Sequence, residues 1–195
     1  MVAAAAAILC GGRGERLGGV VKPHLEIGGS RILDRALAVL RPLFDDIAIV
    51  SDDAAPYADA GLPVVADEQP GLGPLGGIAA ALAWSPHPRV FVVAGDMPFL
   101  DARAIELLLT RPGAAVAPRI GGHAEPLHAV YHRDCLPFIR ARLRSGDVKT
   151  AALLDEVGAQ YVGEDALREL DRELRFLTNV NTPSDLQNAT ASVSS

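Results

Sequence analysis

The chain has 195 residues, 18 of them Lys or Arg and 24 Asp or Glu, for a formal net charge of −6 at neutral pH. With 49% hydrophobic residues it can bury a core of its own, which excludes wholesale disorder. The acidic balance argues against a dedicated nucleic-acid binder, although local cations and backbone amides can still hold an anionic small molecule.

Short apolar runs alternate with helix-period segments. Residues 3–9 read as a buried strand. Ser30 is placed to cap a helix over 30–43, whose Ile32, Leu33, Ala36, Leu37 and Leu40 share one face. Strands follow at 47–50 and 63–66. Pro74 suits the first turn of a helix over 74–84. Val-Phe-Val-Val-Ala at 90–94 is the clearest buried strand. Asp101 is expected to cap a helix ending near 109. Strands are predicted at 114–117 and 127–131, then a helix over 134–144 with Pro137 near its start. A helix at 150–156 and a strand at 159–162 come next. Thr182-Pro183-Ser184-Asp185 has the hydroxyl, proline and carboxylate of a helix start. The alternation predicts one α/β domain over residues 1–188: a Rossmann-like, mostly parallel sheet with helices on both faces. Residues 189–195 are small and polar and are expected to form a flexible tail.

Two cysteines, Cys10 and Cys135, exclude a disulfide scaffold and suit a reducing cytoplasm. Residues 1–12 carry no charge and lack the basic start of a secretory signal. The longest other charge-free stretch, 69–88, holds four prolines and four glycines, so no membrane span is expected.

Four features point to chemistry. Leu9-Cys10-Gly11-Gly12-Arg13-Gly14-Glu15-Arg16-Leu17-Gly18-Gly19-Val20-Val21-Lys22 follows the first strand, and five of its residues from Gly11 to Gly19 are glycine. Glycines let backbone amides close on a phosphate, and Arg13, Arg16 and Lys22 add charge. The P-loop and dinucleotide fingerprints both fail here: Val20 follows Gly19, and Leu17 stands five positions after Gly12. A surface loop is the plain alternative. Second, Asp96 in Gly95-Asp96-Met97-Pro98 lies just past the strongest strand, where open α/β sheets bind ligands, and suits Mg²⁺; the alternative is a turn or cap. Third, Asp67 with the glycines from Gly71 to Gly77 could accept from the N1–H and 2-amino group of guanine, or merely turn the chain. Fourth, Asn179 and Asn181 flank a helix start that could hold an anion or complete a metal shell. His128 and His132, four apart without a third ligand, read as surface or pocket-lining residues rather than a zinc site. Cys10 has no base placed to activate it. Arg140, Arg142 and Arg144 read as solvated, and Trp84 as packing.

These features, in this order, resemble the molybdenum cofactor guanylyltransferases. The resemblance rests on Leu9-Cys10-Gly11-Gly12 through Arg16-Leu17-Gly18 to Val21-Lys22, and on Gly73-Pro74-Leu75-Gly76-Gly77-Ile78. It continues in Gly95-Asp96-Met97-Pro98-Phe99-Leu100, Glu125-Pro126-Leu127-His128-Ala129-Val130-Tyr131 and Asn179-Val180-Asn181-Thr182-Pro183. It implies a nucleotidyltransferase fold and transfer of GMP from GTP to the molybdopterin cofactor, with pyrophosphate released. It further implies nucleotide contacts from Leu9, Cys10, Gly11, Gly12, Ser51, Asp67 and Gly77, catalytic roles for Arg16, Lys22 and Asp96, Mg²⁺ on Asp96, and acceptor contacts from Asn179 and Asn181. GTP and molybdopterin would be the partners of a cytoplasmic monomer, with transient contacts to other proteins of the same pathway, and neither nucleic acid nor membrane. Cys10 replaces the family's alanine, Val21 the aspartate before the lysine, and Pro23-His24 the usual small or aliphatic residues. A cytidylyltransferase and a non-catalytic nucleotide sensor are the rival readings; comparing GTP, CTP and ATP as donors tests the first, and tight nucleotide binding without pyrophosphate release would mark the second.

Overall fold

The computed structural model describes residues 3–11, 21–67 and 71–193. β1 (Ala4–Leu9) is followed by the hairpin β2 (Glu26–Ile27) and β3 (Ser30–Arg31), then α1 (Ile32–Leu40), β4 (Ile47–Val50) and β5 (Val64–Val65). Next come α2 (Gly73–Trp84), β6 (Arg89–Ala94), α3 (Ala102–Thr110), β7 (Ala115–Ile120), β8 (His123–Ala124) and β9 (His128–His132). The chain closes with α4 (Leu136–Ser145), α5 (Thr150–Glu156), β10 (Gln160–Gly163), α6 (Glu164–Arg168) and α7 (Pro183–Ala191).

The main sheet runs β10-β7-β9-β6-β1-β4-β5, with β8 paired to β7. β1 is parallel to both β4 and β6, and β4 to β5; β9 alone on this path runs antiparallel to its two neighbours. The expected mostly parallel sheet is present. Alternation along β1 sends Ala4, Ala6 and Ile8 into a core with α1, α3 and α6, and Ala5 and Ala7 into another with α2, α4 and α5. Helices therefore cover both faces. The alanines keep the second layer close, and α2 is buried continuously from Leu75 to Leu82.

The chain leaves β1 for β4 on one side and reaches β6 on the other. That reversal opens a crevice at the carboxyl ends of the strands. The register sets Leu9 opposite Val50 and Ala94, so the residues that follow all three strands meet there.

Several expectations are corrected. Ser30 does not cap α1; it pairs with Ile27 in the hairpin, and the cap position is Arg31, whose side chain binds Asp34 and Asp59 instead. The helix predicted from residue 134 is preceded by a 3-10 turn at Arg133–Cys135 and starts at Leu136. α7 crosses residue 188 and continues to Ala191, with Ala189 buried against Ile27, Ile32 and Val180. Asp101 does cap α3, accepting from the Arg103 N–H at 2.8 Å. Thr182 and Asp185 form a complete capping box on α7.

Candidate functional site at the carboxyl ends of the strands

Three side chains from distant parts of the chain converge in the crevice. The Lys22 ammonium donates to Asp96 Oδ2 at 2.9 Å and to Asn181 Oδ1 at 2.5 Å. Their sequence separations are 74 and 159 residues. Lys22 lies in a 3-10 turn with Pro23 at its start. Asp96 is in the turn after β6. Asn181 is fixed from both sides: the Val180 N–H donates to Asp96 O at 2.9 Å, and the Asn181 N–H donates to Asp185 of the α7 capping box at 2.9 Å. The side chains of Lys22 and Asp96 are 26% and 16% exposed, so the pair is neither dry nor fully hydrated.

Gly95 is what lets these elements close. Its N–H donates to Leu9 O at 2.9 Å. A Cβ there would stand 2.9 Å from Cys10 Sγ, 2.9 Å from Pro23 Cγ and 3.1 Å from Leu9 O. Gly77 plays the same part for α2, since a Cβ would stand 3.0 Å from Leu9 Cδ2. The Cys10 N–H donates to Val50 O at 2.9 Å, and its carbonyl accepts from the Tyr57 hydroxyl at 3.2 Å. Burial pushes the Cys10 thiol up to about 12, which makes it a packing group and not a nucleophile. Gly11 is exposed, and a Cβ there would meet no atom of the described residues within 4 Å. Gly12, Arg13 and Arg16 lie outside the described residues.

On the β5 flank, Asp67 packs against the first turn of α2: a Cβ on Gly76 would meet its Oδ2 at 2.9 Å. Burial raises the Asp67 carboxyl to about 6, and the Asp52 carboxylate adds to the shift. Ser51 is close by, its hydroxyl turned back on Asp53 in a local loop. Asn179 also points into its own loop, donating to Leu177 O at 3.4 Å, so Asn181 is the amide that joins the lysine.

The oxygen donors fit a hard divalent cation. Asp96 Oδ1 is buried and has no hydrogen-bond partner among the described residues, and Asn181, joined to Asp96 through Lys22, offers an amide oxygen. No group of three or more His, Cys, Asp or Glu side chains suited to a metal occurs among the described residues. Mg²⁺ needs none, because it uses one or two carboxylates and completes its shell with phosphates and water.

A sequence model of the MobA-like NTP transferase domain matches residues 6–161, a span that contains the second half of β1, Lys22, Asp67 and Asp96. The chain belongs to the MobA-like NTP transferase family. It is 39% identical over 192 residues to a probable molybdenum cofactor guanylyltransferase of Pelotomaculum thermopropionicum, covering 97% of this chain and 93% of that one. It is 30% identical to a molybdenum cofactor guanylyltransferase of Desulfosudis oleivorans, covering 95% and 94%. Among solved structures, molybdopterin-guanine dinucleotide biosynthesis protein A from Archaeoglobus fulgidus superposes with a TM-score of 0.85 at 27% identity, over 97% of this chain and 98% of that one. A 4-diphosphocytidyl-2C-methyl-D-erythritol synthase from Anaerococcus prevotii shares the fold at TM-score 0.74 and 13% identity, over 100% and 97%.

Within this MobA-like domain some sequence readings change. His128 lines neither a pocket nor the surface. It is fully buried between Phe91 and Phe176, at ring-centroid distances of 5.1 and 5.3 Å. Strand alternation puts it on the core face of β9 with Val130; His132 has the same parity but ends the strand, where it is partly exposed and meets Asp134. Arg142 is not a freely solvated position: its side chain is 13% exposed, and its guanidinium bridges Asp147 and Glu156. Glu125 stands in a quoted motif, but no role had been read for it. Its N–H donates to Pro118 O of β7, and Leu127 O, two residues on, accepts from the Ala94 N–H at the end of β6, a position visible only once β9 is known to pair there.

Proposed function

We propose that this protein transfers GMP from GTP to the terminal phosphate of the molybdopterin-type molybdenum cofactor, with Mg²⁺ as the metal. The observation that carries the reading is the Lys22–Asp96–Asn181 cluster at the sheet switch point, with the buried Asp96 Oδ1 oxygen unpartnered among the described residues. Attacking and leaving groups are both anionic phosphates, so charge repulsion is the main barrier. Asp96 and Asn181 would hold the metal through oxygen. When bound, the cation supplies positive charge to the nucleotide phosphates. Lys22 stays within reach of the same phosphates and offsets the charge that gathers during displacement. Gly11 and Gly12 would admit the phosphates to the backbone, and Arg16 would add charge from the same loop. Asp67 would accept from the guanine edge, with Ser51 and Gly77 bordering the nucleoside.

No protein nucleophile is required, consistent with the buried Cys10 thiol. We read the protein as a monomer. The two buried free cysteines suit the cytoplasm, where other cofactor-handling proteins would deliver the labile acceptor. Pyrophosphate release tests the reading, with GTP, CTP or ATP as donor and molybdopterin cofactor as acceptor. GTP should support release well above the other two. Preference for CTP would make the protein a cytidylyltransferase, and tight GTP binding without release would make it a sensor.

A further inference from the structure

A second carboxylate borders the crevice on the flank opposite Asp67. Asp67 follows β5, and Glu125 precedes β9, four strand spacings away in the sheet order. That is on the order of 19 Å at about 4.8 Å per strand. Asp96 stands between them in this order, at the end of β6.

The Glu125 backbone is held rigidly to the strand ends. Its N–H donates to Pro118 O at 2.9 Å. Two residues on, Leu127 O accepts from the Ala94 N–H at 3.0 Å, directly beside the turn that carries Asp96. The Tyr131 hydroxyl pins Pro126 O at 2.8 Å. The side chain has far less to do. Its one hydrogen bond is a long 3.4 Å contact from the Leu127 N–H, and no cation pairs with it among the described residues. Burial raises its carboxyl above the usual range, and the Asp96 carboxylate adds to this. A half-buried carboxylate with unspent acceptor capacity is costly unless a ligand supplies donors.

The proposed product is a dinucleotide with guanine at one end and a pterin at the other. Guanine and a 2-amino-4-oxopteridine present the same edge, an amino group beside a ring N–H. We propose that Glu125 is the acceptor-reading residue, accepting from the amino group and ring N–H of the pterin as Asp67 would from guanine. This rests on the guanylyltransferase reading above. The crevice then holds one carboxylate for each heterocycle, with the phosphate-handling cluster between them.

The test uses the whole protein saturated with Mg²⁺ and a non-hydrolysable GTP analogue, so that the guanine pocket is filled. Binding of 6-hydroxymethylpterin is compared with that of its lumazine counterpart, in which a carbonyl replaces the amino group. The wild type should prefer the pterin by about tenfold or more, the scale of one charge-assisted hydrogen bond. Glu125→Gln should abolish that preference while leaving affinity for the GTP analogue and for Mn²⁺ unchanged. A preference that survives Glu125→Gln overturns the assignment and leaves the guanylyltransferase reading standing. A tenfold loss of Mn²⁺ affinity in the variant also overturns it, making Glu125 a metal ligand. A wild type that binds the GTP analogue but neither pteridine removes the pterin acceptor itself, and both readings fall together.

Discussion

Replacing His128 with leucine should make the protein more resistant to acid. The imidazole is fully buried between two phenylalanines, and neither nitrogen has a hydrogen-bond partner among the described residues. Burial lowers its pKa from 6.5 to about 3, against a smaller opposing effect from the Asp101 charge. The unfolded chain therefore takes up a proton below pH 6.5 that the folded chain refuses until about pH 3. The stability His128 lends is complete above 6.5 and is lost as pH falls through that window. The slope is about 1.4 kcal/mol per pH unit, so His128 alone costs about 3 kcal/mol at pH 4 relative to pH 7. For a chain of this size that is a loss of roughly 10 °C in melting temperature. Leucine has similar volume and no titration. Urea unfolding of both proteins from pH 7 to 4 gives the difference directly, because the other acid-labile groups are common to both. Wild-type stability should fall below that of His128→Leu by about 3 kcal/mol over the range. Parallel curves would show that the imidazole reaches water or a partner in the folded state, and the packing argument would fail.

Gly95→Ala should destabilise the protein by about 1–3 kcal/mol through overpacking. It should also cut kcat about a hundredfold, because a shift of order 1 Å at the Lys22–Asp96 pair misaligns the phosphates. Gly163→Ala, with nothing within 4 Å of the new methyl, is the control expected to change neither. Asp96→Asn should lower pyrophosphate release by about 10²–10³-fold, with the circular dichroism of the wild type; near-normal turnover would remove Asp96 from the metal site. Guanine reading needs the Asp67 carboxylate ionised, and burial holds its pKa at about 6. Below pH 6, kcat/KM for GTP should therefore fall about tenfold per unit, and Asp67→Asn should flatten that limb while lowering the plateau. Thr182→Ala, which opens the α7 capping box, should cost about 1 kcal/mol in thermal unfolding.

The layers of the fold were legible wherever local periodicity and burial agree. β4 and α5 have the bounds read from their residues, and β1 and β6 differ by one residue. The direction of β9 was not legible, because an apolar run such as His128–His132 reads the same whether it is parallel or antiparallel. That direction decides where Glu125 lies, so its position at the crevice was hidden as well. Ser30 shows local chemistry yielding to pairing: a good cap residue was drawn into a hairpin, one residue before the position that caps α1. Lys22, Asp96 and Asn181 were each singled out as chemically suggestive, but nothing local brings them together. Their meeting depends on the β1–β6 register, on Gly95, and on a C-terminal loop folded back onto Asp96 O. His128 was misjudged because polarity suggested exposure, whereas β9 alternation aims it between aromatic rings.

The most direct measurement is a crystal structure with Mn²⁺ and a non-hydrolysable GTP analogue. The account predicts an anomalous peak bonded to Asp96, the triphosphate lying between Gly11 and the Lys22 ammonium, and guanine against Asp67. A triphosphate bound away from Lys22, or a manganese that ignores Asp96, would contradict it.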